Sequence, residues 1–257
     1  PTGEDVRPRL FVLDFDGDMQ ASQVDALREE ISVVIPAATE NDEVLIRLES
    51  PGGLVHGYGL AASQLQRIRD ANIPLTIAVD KVAASGGYMM ACVASRIIAA
   101  PFAVIGSIGV IAQLPNFHRL LKKNDIDFEL YTAGQYKRTL TMFGENTDKG
   151  RAKFVEDLED THTLFKSFVA DNRSVVDIDQ VATGEVWYGQ RALDVQLIDE
   201  LCTSDSYIQE RLANHDVLEI RYQFKKNWQE RFGFSIENAL YRAALKLWQQ
   251  GTSRQLP

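Results

Sequence analysis

The stretch "AASGG", residues 83–87, places a hydroxyl where the chain carries almost no bulk. Ser85 precedes "YMMACVAS", an apolar run compatible with a buried helix. A serine at a strand-to-helix junction can point its hydroxyl outward while neighbouring N–H groups of the helix start stay unpaired. The N–H of Gly86 would then lie beside an attacking oxygen, which makes a nucleophile with half an oxyanion hole. The same serine also reads as a helix N-cap, a common use of this residue at such a place. A second small-residue turn, "ESPGG" (49–53), follows a strand and precedes a helix. Its proline fixes φ, and its paired glycines permit positive φ and close approach of backbone to a ligand. It can aim an N–H at a bound oxygen, or simply connect two elements.

A nucleophilic serine needs a base. Among His56, His118, His162 and His215, none stands in a motif that marks a general base. His118 would allow a triad, but opens "HRLLKK" and reads as solvent-facing or capping. Lysine serves when it is uncharged. "TAGQYKRTLTMFGEN" (132–146) carries Lys137 just past an expected strand. An exposed lysine is almost wholly charged at neutral pH, whereas burial disfavours the ammonium. Buried near Ser85, Lys137 would accept its proton; on the surface it is one more solvated charge. No His–Glu cluster or cysteine pair suggests a metal, and no cofactor is implied.

The elements that must hold these residues alternate strand and helix, as in βαβ units. "LFVLDFDG" (10–17), "EVLIRLES" (43–50) and "PLTIAVD" (74–80) read as strands. The segment 22–38, with Val24, Leu27, Ile31 and Val34 at helical spacing, and the segment 57–71 read as helices. Residues 96–114 look like two short strands broken by Pro101 and a glycine-rich corner. "FHRLLKKN" then predicts a helix and "DFELYTAG" (127–134) a strand. Residues 148–174 predict a long amphipathic helix, with Phe154, Leu158, Leu164, Phe165 and Phe168 among its apolar positions. A short helix is expected near "GQRALDVQLIDEL", and an amphipathic one over 228–251. The reading is one α/β domain with helical additions.

Composition narrows the function. The formal charge of −9 over 257 residues argues against a nucleic-acid partner, which needs clustered cations. The short pairs Lys122–Lys123 and Lys225–Lys226 read as solvated surface. Two cysteines, Cys92 and Cys202, cannot make a disulfide framework, and Cys92 reads as a small buried hydrophobe. No stretch approaches the ~20 apolar residues of a membrane span.

Together "LESPGG", "AVDKVAASGGYMMACVASRIIA", "GSIGV", "AGQYKRTLTMF" and "GEVWYGQRALDVQLIDEL" resemble the signal peptide peptidase A family, most closely its SohB-like branch of bacterial membrane-anchored serine peptidases. The resemblance runs from about residue 9 to 201, in family order. It implies the ClpP/crotonase-like fold of repeated ββα units, and catalysis by a Ser–Lys dyad without cofactor. Carried over, Ser85 is the nucleophile and Lys137 the general base. Ser107, in "GSIGV", orients the lysine, and the N–H groups of Gly53 and Gly86 form the oxyanion hole. ClpP itself uses a histidine after its serine, and "SIGVIAQ" (107–113) contains none.

The resemblance further implies a linker or remnant over 1–8 after a membrane anchor, a peptidase domain over 9–225, and a helical tail over 226–257. It implies a homo-oligomer at the inner membrane, facing the periplasm, that hydrolyses apolar peptides: signal peptides, or small membrane-derived or unfolded polypeptides. The tail, with Phe232, Phe234, Ile236, Leu240, Leu247 and Trp248 on its apolar stripe, would pack between subunits, lie on lipid or fold back. A crotonase-like acyl-CoA enzyme and a catalytically silent membrane scaffold are the rival readings. The first has no use for Ser85 with Lys137; the second is disfavoured by an intact set of site residues.

Overall fold

The computed structural model describes residues 7–223. The chain divides into a compact unit, Pro1–Arg221, and a second, Tyr222–Pro257, of which only Tyr222 and Gln223 are described. The helix expected over 228–251 and most of the expected 1–8 linker lie outside the described residues.

The first half of the chain alternates as its hydrophobic pattern requires. β1 (Arg9–Asp16), α1 (Val24–Ala37), β2 (Glu43–Glu49), α2 (Val55–Asp70) and β3 (Leu75–Val79) follow in order. Strands β1 to β3 are near-continuous apolar runs, buried on both faces as a parallel sheet between helices demands. Two ββα units complete this part, the first of them beginning with β3. β4 (Val82–Ala84) leads to α3 (Gly86–Ala91); β5 (Arg96–Ala99) and β6 (Val104–Gly106) lead to α4 (His118–Lys123). The remainder is α5 (Asp148–Asn172), α6 (Ile178–Val181), β7 (Val186–Tyr188), α7 (Gly189–Asp194), β8 (Glu200–Leu201), α8 (Ser204–Arg211) and β9 (Asp216–Glu219).

The main sheet has the order β8–β5–β3–β2–β1–β9, and all its pairings are parallel. A smaller sheet runs β4–β6–β7, with β4 parallel and β7 antiparallel to β6. The sheets meet where Ser50, just past β2, bridges to Ala83 in β4. One face of the main sheet carries the large core with α1, α2 and α3; Leu10, Val12, Leu45, Ala78 and Ile98 on the other face pack against Tyr207 of α8. Cys92 is fully buried in the large core, and burial pushes its thiol well above the ordinary range. Among the described residues no helix is long and apolar enough to cross a membrane.

The strand expected over 127–134 does not form; no strand lies between α4 and α5. A strand needs a ladder partner for its N–H and C=O groups, and this segment finds none. Its apolar alternation serves a local aromatic cluster instead. Phe128 lies 5.8 Å from Phe143, ring centre to ring centre, and Phe143 stacks on Phe117 at 6.1 Å. The long helix starts where expected because the Thr147 side chain caps it by accepting from the Gly150 N–H. Its second half buries Phe165 and Val169, while Val155 and Leu164 remain exposed.

One buried charge pins the entry to β1 and β2. Asp42 is 1% exposed, and accepts from the backbone N–H and guanidinium of Arg9 and from the N–H and hydroxyl of Thr39. Burial alone would raise its carboxyl, but the Arg9 and Thr39 hydrogen bonds outweigh that and hold it at about 2. A depressed carboxyl stabilises the fold above its unfolded pKa near 4, and loses that contribution as pH falls through about 2. Asp42→Asn should therefore cost about 2 kcal/mol at neutral pH. Chemical denaturation of the variant should also lose part of the wild-type fall in stability between pH 4 and 2.

Candidate active site

β4 delivers Ser85 to the start of α3 in a conformation that L-residues avoid. Its φ is +52° and ψ −120°, a sparsely populated region whose occupancy costs about 1–3 kcal/mol. The surrounding bonds enforce it. The Ser85 N–H donates to the carbonyl of Gly106 at 2.8 Å, and its own carbonyl accepts from the N–H of Met89 at 3.0 Å. Ser85 occupies the N-cap position, yet its side chain makes no capping hydrogen bond. The capping reading of this serine therefore fails. The hydroxyl is half-buried at a strand–turn–helix corner, the arrangement that presents a nucleophile to a cleft.

The glycines around it are there for contact. A Cβ on Gly86 would stand 2.3 Å from the ring of Tyr58, and one on Gly87 2.5 Å from the Ser50 carbonyl oxygen. At Gly52 the backbone has φ +89°, and a Cβ would lie 2.7 Å from that of Ser85 and 2.8 Å from the Gly86 nitrogen. The "SPGG" turn is thus pressed against the start of α3. Among the described residues no acceptor takes the N–H of Gly53 or of Gly86. Both glycines line the same cleft as Ser85.

A buried polar chain fixes this turn. The Ser50 hydroxyl accepts from the Gly52 N–H at 3.1 Å and shares a 2.6 Å hydrogen bond with the Tyr58 hydroxyl. Tyr58 donates to the Asp18 carbonyl at 2.8 Å, so in the shared bond the proton comes from Ser50. Burial, with the carboxylates of Asp18 and Asp16, raises the Tyr58 phenol above its ordinary value, so it remains a donor. Tyr58 thereby touches both halves of the site, the turn through Ser50 and the helix start through its ring. Sequence reasoning missed Ser50 and Tyr58 as supports. Nothing in the spacing of "HGYGLAA" separates Tyr58 from any other core aromatic.

The cleft has a volume of about 270 Å³ and reaches Ser85, Gly53 and Gly86. Apolar side chains form most of its wall: Val55 of α2, Met89 of α3, Ile111, and Leu164, Phe165 and Phe168 of α5. A hydroxyl beside two unpaired N–H groups, at the edge of an apolar cleft, can attack a carbonyl and stabilise the resulting oxyanion.

Ser107 stands close by in the fold. Ala84 and Gly106 are register partners in the parallel β4–β6 pair, so Ser85 and Ser107 leave neighbouring strands at the next position. Ser107 shares the positive φ, at +51°, and its N–H is held by the Glu185 carbonyl at 2.7 Å. The structure leaves Lys137 unburied. It lies exposed on the irregular segment after α4, outside the cleft lining, and among the described residues its amine makes no hydrogen bond or ion pair. The burial expected around it is absent because that segment covers no core of its own. None of the four histidines lines the cleft; His162 instead bonds through Nε2 to the carbonyl of Ile108 at 3.2 Å. Among the described residues no group of three or more His, Cys, Asp or Glu side chains is placed to hold a metal ion.

Comparison with known proteins gives the family and the fold. The profile of peptidase family S49 matches residues 67–218, and that of its N-terminal region matches residues 2–65. The chain is 57% identical over 241 residues to a probable protease SohB of Haemophilus influenzae, covering 92% of this chain and 68% of that protein. It is 54% identical over 242 residues to a probable protease SohB of Buchnera aphidicola, covering 94% and 72% respectively. A solved mutant of the 1510-N membrane-bound stomatin-specific protease superposes with a TM-score of 0.58 at 14% identity, covering 85% of this chain and all of that one. That likeness speaks for the fold, which is ClpP/crotonase-like.

Proposed function

The chain belongs to peptidase family S49 and is a serine protease, and on that premise we propose that it is an endopeptidase working through Ser85 and Lys137. The observation that carries the proposal is the strained, uncapped Ser85, set in an apolar cleft beside the free N–H groups of Gly53 and Gly86. Ser85 attacks the peptide carbonyl, and the two N–H groups hold the oxyanion. Neutral Lys137 takes the serine proton and returns it to the leaving amine; water then hydrolyses the acyl-enzyme with the same lysine as base. Ser107 orients the lysine. Membership of a peptidase family removes the ground for an acyl-CoA enzyme.

The dyad forms when the segment between α4 and α5, from the same copy or a neighbouring one, lays Lys137 over Ser85. We take the working form to be a homo-oligomer, a reading supported by the large apolar side chains exposed around that segment, such as Ile111, Leu120, Tyr131 and Leu164. The apolar wall of the cleft supports apolar peptides as substrates, signal peptides and small membrane-derived or unfolded chains among them. Placement at the inner membrane, facing the periplasm, is part of the same proposal; the solved structure of similar fold is described as membrane-bound. The deciding experiment is labelling with a fluorophosphonate serine probe followed by peptide mapping. The label is expected on Ser85, and a label on any other serine defeats the proposal.

A further inference from the structure

Gly59 lies inside α2, on the face that borders the cleft. Glycine is the poorest residue for a helix interior after proline, because its backbone has the most freedom to lose. Where a helix carries one, another group commonly needs the space. Gly57, two residues earlier, shows such a need: a Cβ there would stand 2.8 Å from the carbonyl oxygen of Gln20. At Gly59 a Cβ would meet nothing within 4 Å, and the backbone φ is not positive. It alone among the described glycines has neither a close neighbour nor a left-handed backbone. The space it leaves open belongs to the cleft, with Val55 one turn before it and Met89, Phe165 and Phe168 across from α2.

We propose that Gly59 is a specificity-determining residue, which keeps the cleft deep enough for a bulky apolar side chain on the residue whose carbonyl Ser85 attacks. The inference rests on the reading of Ser85 as nucleophile. The cleft volume of about 270 Å³ suits such a guest; an apolar cavity of about 150 Å³ already holds a benzene ring. A side chain at position 59 fills that depth from the helix side. It shortens the pocket without touching Ser85, Gly53 or Gly86. Leucine, methionine and phenylalanine before the scissile bond are the residues this enzyme selects, and alanine is under-filled.

The test compares wild type, Gly59→Ala and Gly59→Leu on peptides that differ only in having Ala, Leu or Phe before the scissile bond. In Gly59→Leu the ratio of kcat/KM for Phe over Ala should fall by about 10-fold or more, with a smaller fall in Gly59→Ala, as expected for methylene-sized changes in an apolar pocket. Gly59→Ala should also melt about 2–4 °C higher, since the helix gains where no contact is lost. An unchanged Phe/Ala ratio, in an enzyme whose cleavage disappears with Ser85→Ala, overturns the role of Gly59. So does a lower melting temperature for Gly59→Ala, which would reveal a packing need. Wild-type cleavage that survives Ser85→Ala overturns the nucleophile assignment, and this inference with it.

Discussion

Ser85→Ala should give a folded protein whose peptide cleavage has dropped by roughly 10⁴- to 10⁶-fold, the scale on which loss of a serine nucleophile is felt. The fold should survive because the Ser85 side chain makes no hydrogen bond to be lost. Its backbone bonds, to the Gly106 carbonyl and from the Met89 N–H, do not depend on the hydroxyl. Alanine inherits the strained φ of +52°, so its melting temperature should stay near that of wild type. Glycine would relieve the strain. Ser85→Gly should be as inactive as Ser85→Ala yet more stable, by about 1 kcal/mol or somewhat more. Steady-state cleavage with thermal melts on the three proteins checks both halves. Activity retained by either variant would move the chemistry elsewhere.

Lys137→Ala should separate activity from stability still more sharply. Lys137 is exposed, and among the described residues its amine has no partner, so removing it should leave the melting temperature unchanged. Cleavage should nevertheless fall by about 10²- to 10⁴-fold, the usual contribution of a general base. Lys137→Arg should not restore it, because a guanidinium keeps its proton and cannot act as base. Residues that act as one unit are non-additive. The double variant with Ser85→Ala should then be no worse than Ser85→Ala alone. Full activity in Lys137→Ala would show that another group takes the serine proton. Restored activity in Lys137→Arg would show that the charge, not the base, matters.

The sequence made the centre of the main sheet plain, because β1, β2 and β3 are apolar runs separated by helices, the first with a clear 3.6-residue stripe. It was less informative about β4, β7, β8 and β9, which are two to four residues long. Strands that short leave no period to read; they exist because neighbours pair with them. The strand expected over 127–134 failed for the converse reason, a pattern without a partner. In the site, the glycines around Ser85 pointed to close backbone approach, and the structure shows it where Gly52 meets Ala84 and the Gly86 nitrogen and where Gly87 meets the Ser50 carbonyl. The Ser50–Tyr58–Asp18 chain left no trace in the sequence, since it joins residues 8 and 40 positions apart through the fold. The position of Lys137 was not legible either. A lysine's burial depends on what lies over it, and residues near it in sequence do not determine that.

The corner that carries Ser85 is held by material made long after it. Ser85 hangs from Gly106, and the strand containing Gly106 pairs along its other side with Val186–Tyr188; Ser107 is tied to Glu185. A chain still on the ribosome and ending before residue 185 has the serine, the glycines and the first six strands, but an open edge where this brace belongs. Synthesis therefore delays the assembled corner until the chain has grown from Ser85 as far as Tyr188, and a fragment broken off before that point is born without it.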